Sequence, residues 1–398
     1  MFRHIPSYPG DSVLSLNQDF LADTRQPKVN LGIGMYFDES GRIPIMRAVR
    51  KIEEEIGTAV ESHPYLPMTG LGAYCEQAKR VVFGSDLYTR LGDRIATIQT
   101  LGGSGALKVG ADFLKHHFPE SQLWVSDPTW DNHKVLFGGA GIKVNPYPYY
   151  DARTGGLRFA EMLEVLGRVP LGNIVLLHAC CHNPTGVDMN AGQWSELLSV
   201  LLARRLVAFV DMAYQGFGSG LEEDASSVRM LAEAGVPLLV ANSFSKNFSL
   251  YSERCGALSV LCADAEEADR IHGQLAAEVR TNYSSPPKYG AAIVTRILSD
   301  QALRAEWAGE LRGMRERMLA MRAALHARLA GKIDEVQRAR YVNQRGMFTY
   351  TGLSNDQVAR LKNEFSIYLV GSGRMCVAGL SDNNVEYVAS AIAAVSGR

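Results

Sequence analysis

Leu238-Leu239-Val240-Ala241-Asn242-Ser243-Phe244-Ser245-Lys246-Asn247-Phe248 is the stretch from which the rest of the chain can be read. Its first four residues are continuously apolar, the mark of a strand buried on both faces. The run then breaks into a hydroxyl-rich turn that delivers a lysine. Arg254 follows a short way on, with Gly256 just behind it. A lysine at the mouth of a buried strand, with hydroxyls before it and a guanidinium after it, suits a ligand that carries both an aldehyde and a phosphate. The amine condenses with the first group, and the hydroxyls and guanidinium hold the second.

Similar strands lie to either side. Ile95-Ala96-Thr97-Ile98, Leu123-Trp124-Val125, Ile174-Val175-Leu176-Leu177, Leu206-Val207-Ala208-Phe209-Val210 and Ala257-Leu258-Ser259-Val260 are all near-continuously apolar, with Lys143-Val144-Asn145 a weaker candidate. Helical patterns separate them. Continuous rather than alternating hydrophobicity predicts an α/β fold whose large domain holds a mostly parallel sheet flanked by helices, with chemistry gathered beyond the carboxyl ends of the strands. Leu303, Trp307, Leu311, Met314, Met318, Met321, Leu325 and Leu329 recur at steps of three and four. They predict one long helix, capped by Ser299 or Asp300 and ended by Gly331. The rhythm after it is α+β. We therefore expect a large domain over 41–310 and a small α+β domain built from 1–40 and 311–398.

The composition is that of an ordinary folded protein. Hydrophobic residues are 46% and charged residues 21% of the 398, which argues against disorder. Lys plus Arg (41) nearly cancels Asp plus Glu (42), so nothing points to nucleic acid or a membrane surface. No apolar run is long enough to span a bilayer, and Met1-Phe2-Arg3-His4-Ile5-Pro6 lacks a signal-peptide core. The expected location is cytoplasmic, with six scattered, reduced cysteines.

Further candidates sit at strand ends. Asp211 closes the strand 206–210 and can pair with a protonated ring nitrogen; Tyr214, three positions on, can donate to a ring oxygen. Asn183, in His178-Ala179-Cys180-Cys181-His182-Asn183-Pro184-Thr185-Gly186, is a second donor of that kind. The histidines and cysteines around it match no familiar zinc spacing, so no metal is expected there. Leu101-Gly102-Gly103-Ser104-Gly105 leads into a helix expected to begin near Ala106, where backbone amides and the helix dipole would favour a phosphate. Trp130 can stack on a planar ring, and His133 can orient Asp211. Arg374, among small neighbours in Gly371-Ser372-Gly373-Arg374-Met375, suits a carboxylate, as does Arg280 ahead of Thr281-Asn282-Tyr283-Ser284-Ser285-Pro286-Pro287. Pyridoxal phosphate carries both an aldehyde and a phosphate on such a ring.

Taken in order, these motifs resemble the class I aminotransferases of the aspartate and aromatic amino acid subgroup, from Asn30-Leu31-Gly32-Ile33-Gly34 to Arg374. Asn343-Gln344-Arg345-Gly346-Met347-Phe348 and Ser372-Gly373-Arg374-Met375-Cys376-Val377-Ala378-Gly379 are similar to the bacterial aromatic (tyrosine) branch. The resemblance implies a fold type I transferase and pyridoxal 5'-phosphate joined covalently to Lys246. It implies that Asp211 pairs with the ring nitrogen, Tyr214 and Asn183 bind the ring oxygen, and Trp130 stacks on the ring. Gly103, Ser104, Ser243, Ser245 and Arg254 would hold the phosphate, with Tyr65 reaching it from a second subunit of a homodimer. Arg374 would bind the substrate α-carboxylate. Arg280, also from the neighbouring subunit, would meet a side-chain carboxylate, and Gly34 would line the substrate pocket. The implied reaction is transamination between an aromatic amino acid (Tyr, Phe, with Trp) and 2-oxoglutarate, with side activity on aspartate. A dedicated aspartate aminotransferase, or a β-lyase or decarboxylase using the same cofactor, is the alternative. Two departures bear on that choice: Gly102-Gly103-Ser104 replaces the Ser-Gly-Thr common in aspartate enzymes, and Ser285 stands where they often have asparagine.

Overall fold

In the computed structural model, which describes residues 2–8, 10–58 and 62–397, the chain divides into two units. One comprises residues 44–183 and 187–316, the other 1–43, 184–186 and 317–398. The termini of the expected small domain, Met1 and Arg398, lie outside the described residues. The divisions differ from the expected 40/41 and 310/311 by a few residues, and the short piece 184–186 was not anticipated. Local packing accounts for both. Gly216 is so close to Leu311 that a Cβ there would lie 2.4 Å from its Cδ2, which keeps 311 with the larger unit. Gly186, at φ +70, accepts a hydrogen bond from the Arg345 amide at 2.6 Å, which ties 184–186 to the smaller one.

Seven strands form the central sheet of the larger unit: β1 (Ile95–Leu101), β2 (Leu123–Asp127), β3 (Val144–Pro148), β4 (Ile174–His178), β5 (Val207–Met212), β6 (Leu238–Ser243) and β7 (Cys255–Leu261). Their order is β1-β7-β6-β5-β4-β2-β3. All are parallel except β7, which runs antiparallel to both neighbours. β4 and β6 are buried at every residue, as continuous hydrophobicity requires. β3 contains Pro146 and Pro148, which a ladder tolerates at an edge, and so its sequence signal is weak.

The antiparallel β7 has a consequence for chemistry. Its amino end lies beside the carboxyl ends of the others: Cys255 pairs with Leu101 and Gly256 with Ser243, while His178 pairs with Asp211. One edge of the sheet therefore collects the ends of β1, β4, β5 and β6 together with Arg254.

Helix α1 (Gly102–His117) packs on one face of the sheet, its Gly110 pressed against the Phe209 ring. It starts four residues earlier than the expected Ala106. Gly102, at φ +67, makes the turn from β1 without a Cβ, so the helix follows the strand directly. Three further helices matter below: α2 (Asp131–Gly139), α3 (Ala265–Asn282) and α4 (Gln301–Arg328). In α4 the expected face is buried from Trp307 to Leu329, with Leu303 half-buried. Asp300 Oδ1 accepts from the amides of Ala302 and Leu303 at 2.8 and 2.9 Å, and Gly331 stands at φ +70 beyond the end.

The smaller unit has its own core, with Leu31, Leu325, Leu329, Tyr341, Leu361, Ile367, Met375 and Ile392 among its members. Two short strand pairs organise it. Val29–Asn30 runs parallel to Ile367–Tyr368, and Phe348–Tyr350 antiparallel to Arg374–Cys376.

Candidate active site

The lysine turn is held from below. Phe244 and Phe248 are fully buried, and Phe248 stacks on Trp307 with centroids 4.6 Å apart. The Trp307 indole donates to the Asn247 carbonyl at 2.7 Å, and the Asn247 amide donates to Gln215 O at 3.3 Å. With the residues on either side anchored, Lys246 is left half-buried at the sheet edge. Its Nζ lies 4.8 Å from the centroid of the Tyr214 ring, a cation–π contact.

Asp211, at the end of β5, is 8% exposed. His133 Nε2, on α2, lies 3.0 Å from its Oδ2 and donates to it, and the Thr129 hydroxyl lies 2.8 Å from His133 Nδ1. Burial works to raise the carboxyl's pKa. The hydrogen bond from His133, with the positive charge of Lys246 nearby, outweighs burial and leaves it below the usual carboxylate range. Asp211 is therefore ionised at neutral pH. Trp130 sits edge-on to His133, with centroids 5.2 Å apart.

His178 pairs with Asp211 across the β4–β5 ladder. Its Nδ1 accepts from the Asn183 amide at 3.3 Å, so the neutral ring carries its proton on Nε2, a buried atom without a hydrogen-bond partner. Burial, reinforced by His133, pushes its pKa down to about 3. His182 is likewise held well below the ordinary histidine value by burial and by His178. Its Nε2 lies 2.8 Å from the Ser126 hydroxyl, and its ring stacks on Tyr149 at 4.0 Å. Asn183 is buried beside them.

A candidate phosphate cradle lies at the start of α1. That helix has no side-chain cap at Leu101, so its first amides are satisfied by nothing on its own side chains. A Cβ on Gly103 would approach Ser243 Cβ to 3.3 Å, so glycine is what lets the backbone and the serine turn come this close. Ser243 Oγ lies 3.1 Å from Ser245 Oγ. Arg254 Nη1 donates to the Tyr251 carbonyl at 2.8 Å and reaches Ser245 Oγ at 3.5 Å, and Nη2 reaches Leu101 O at 3.5 Å, the last two being long and weak contacts. An uncapped helix start, two hydroxyls and a guanidinium held only loosely at Nη2 fit a phosphate dianion. A lysine, an ionised carboxylate and a tryptophan close by fit the aldehyde-bearing ring of pyridoxal phosphate.

Tyr65 is 96% exposed; the Leu66 carbonyl beside it accepts from the Ser285 hydroxyl at 3.0 Å. Arg280, in the last turn of α3, is exposed and donates to Ser284 Oγ. Arg374 belongs to the smaller unit, where it is 7% exposed. Its Nη2 donates to Gly32 O at 2.9 Å, and its guanidinium lies 4.4 Å over the Phe348 ring. Gly34 meets the same ring, because a Cβ there would fall 2.8 Å from Phe348 Cζ.

Three contributors escaped the sequence reading. Thr129 completes the chain to Asp211, and its one available signal was its place four residues before His133. His178 was passed over once the zinc reading failed. Arg322, inside the long helix, looks like a solvent-facing residue in the sequence but is 2% exposed, donating to the carbonyls of Tyr341, Gly346 and Phe348 and to the Thr349 hydroxyl. It fixes the segment that carries Phe348 beneath Arg374.

Comparison with known proteins identifies the family. The model of the family described as aminotransferase class I and II matches residues 26–392. The aromatic-amino-acid aminotransferase of Escherichia coli K12 is 54% identical over 396 residues, 99% of this chain and 100% of that protein. A crystal structure of an aromatic amino acid aminotransferase from Burkholderia cenocepacia J2315 superposes with a TM-score of 0.95 at 57% identity, covering 99% of this chain and 98% of that one. The Burkholderia pseudomallei aromatic-amino-acid aminotransferase, covalently bound to pyridoxal phosphate, gives 0.96 at 49% identity over 100% of both chains. Aspartate aminotransferases are among the relatives too. With a lysine, an ionised carboxylate and a phosphate cradle gathered on one sheet edge, and a family match spanning nearly its whole length, this chain belongs to the class I and II aminotransferases.

Proposed function

We propose that this protein catalyses reversible transamination between an aromatic amino acid (tyrosine, phenylalanine, with tryptophan) and 2-oxoglutarate, with side activity on aspartate. The observation that carries the reading is the convergence of Lys246, Asp211 and the Gly103–Ser243–Ser245–Arg254 cradle at one sheet edge. Pyridoxal phosphate, when bound, supplies an electrophilic aldehyde and an electron sink for the substrate carbanion. Lys246 is the residue that joins it. Lys246 Nζ would also be the base that takes the substrate Cα proton. Asp211, kept ionised by His133, holds the positive charge on the ring nitrogen that makes the sink effective. Tyr214 and Asn183 would donate to the ring oxygen, Trp130 would cover the ring, and Ser104 would join the phosphate ligands.

Arg374 takes the substrate α-carboxylate, its guanidinium plane set by Phe348 and Gly32. Arg280 serves the side-chain carboxylate of dicarboxylic substrates, and Gly34 keeps the substrate pocket open. Tyr65, exposed in the single chain, serves the phosphate of a second copy in a homodimer. No helix among the described residues is long and apolar enough to cross a membrane, in keeping with a cytoplasmic enzyme.

The test is a half-reaction screen. Holoenzyme mixed with each amino acid in turn should lose its cofactor absorption fastest with tyrosine and phenylalanine, more slowly with aspartate. In Arg280→Ala, kcat/KM for aspartate should fall well below that for phenylalanine. Equal losses on both substrates would remove Arg280 as the discriminator, and strictly ternary-complex kinetics would remove transamination itself.

A further inference from the structure

Outside the active site, the far end of α1 carries a donor set that transamination does not use. His116 and His117 are the last two residues of that helix. Consecutive helical side chains ordinarily diverge, yet here the rings lie parallel, 9° apart in plane with centroids 4.8 Å apart. His117 also packs on the buried Phe113, with centroids 4.8 Å apart, which holds it in that orientation. Across from them, on α3, Glu278 points in: its Oε1 lies 3.1 Å from His116 Nδ1, and its side chain is only 14% exposed. One nitrogen from each ring and one carboxylate oxygen all fall within 4.8 Å of one another. His116 and Glu278 border a cleft of about 490 Å³ that Lys108, Asp112, Lys115, Thr281 and Asn282 help to line.

We propose that His116, His117 and Glu278 bind one divalent transition-metal ion of the zinc type, which clips the carboxyl end of α1 to α3. Two imidazoles and a carboxylate are the three-protein-ligand set that such ions take, with water from the open cleft in the fourth position. The surroundings favour a cation. The last turn of α1 presents its unsatisfied carbonyls and the negative end of its dipole. The two lysines are already engaged, Lys108 with Asp112 and Lys115 with the Pro119 carbonyl at 2.8 Å. An ordinary His116–Glu278 ion pair accounts for two of these side chains but not for the second ring stacked on the first. The other group of donors among the described residues, Cys180, Cys181 and Asp224, is buried. Its carboxylate already accepts from the amides of Gly216, Gly218 and Ser219, which leaves little for an ion. The clip joins two functional ends, because α1 begins at the phosphate cradle and Arg280 follows Glu278 by two residues.

Tag-free holoenzyme titrated with Zn²⁺ by calorimetry should bind one ion per chain with micromolar affinity. Co²⁺ should give visible d–d bands without thiolate charge-transfer absorption. Amide exchange should slow around residues 113–118 and 276–282 when Zn²⁺ is present. His116→Ala, His117→Ala and Glu278→Gln should each weaken binding at least ~10- to 100-fold, the loss seen even for outer-sphere partners of bound metals. Their turnover in metal-free buffer should match wild type. Absence of binding at millimolar Zn²⁺, affinity that survives the three substitutions, or thiolate–cobalt absorption assigning the ion to Cys180 and Cys181 would each overturn the proposal.

Discussion

Gly256→Ala should damage the cofactor site without touching any group that contacts the cofactor. Gly256 lies in β7, where that strand crosses the end of β1. An added Cβ would fall 2.4 Å from the carbonyl carbon of Gly102, 2.5 Å from its oxygen and 2.8 Å from its Cα. No flexible side chain can yield there, because all three contacts are backbone. To reach ordinary contact at 3.4 Å, Gly102 must retreat by about 1 Å. It is tied in place by its amide bond to Arg254 O at 2.9 Å and by the β1–β7 ladder. Overpacking of this kind costs about 1–3 kcal/mol, and a rigid ladder puts the cost toward ~3 kcal/mol. A domain of this size should then lose on the order of 5 °C in melting temperature. The retreat would also displace the amide of Gly103 from a phosphate bound in the proposed cradle. A charge-assisted hydrogen bond contributes about 1.5–3 kcal/mol, so affinity for pyridoxal phosphate should fall about tenfold or more. Thermal melts of the apo and holo forms, with cofactor titration into the apo form, measure both effects. Gly235→Ala is the control: it has φ +73 and nothing within 4 Å, so it should cost about 1–2 kcal/mol in backbone strain and leave cofactor affinity unchanged. A Gly256→Ala protein with wild-type melting and cofactor affinity within twofold of wild type would refute the packing argument.

Asp211→Asn should lower the half-reaction rate constant with phenylalanine about 10- to 1000-fold in stopped flow, since an opposite charge holds a proton on its partner by 1–3 pKa units; a loss below threefold would mean Asp211 is not the ring-nitrogen partner. His178 has a folded pKa of about 3, below its ordinary 6.5. Its contribution is complete above pH 6.5 and is lost as pH falls from there toward 3, because the unfolded state takes up the proton first. The unfolding free energy from denaturant melts should drop by about 1.4 kcal/mol per pH unit across that window from this group alone, and His178→Gln should flatten the slope. Arg322→Met strands four acceptors around Phe348 and should cost about 3 kcal/mol or more. It should also raise KM for amino acids more than it lowers kcat, and an unchanged KM would separate Arg322 from the positioning of Arg374.

Much was legible in the chain because the signals were local. A strand buried on both faces must be apolar at nearly every residue, so all seven sheet strands could be located, the proline-bearing edge strand only weakly. Lys246 and Asp211 were legible as candidates because chemistry in such a sheet lies where an apolar run ends. The α4 face and its Asp300 cap followed from helical period and side-chain chemistry. Other properties required residues far apart in sequence to meet. Nothing local says that β7 runs antiparallel, yet that reversal is what brings Arg254 to the same edge as Ser243 and Leu101. Arg322 looks like a surface arginine until three carbonyls and a hydroxyl from residues 341–349 close around it. The depressed pKa of His178 comes from its burial and from His133, which another element supplies. Local composition decides which segments become strands and which residue types stand at their ends; which ends meet, and with what charge, depends on contacts that form only when the sheet closes.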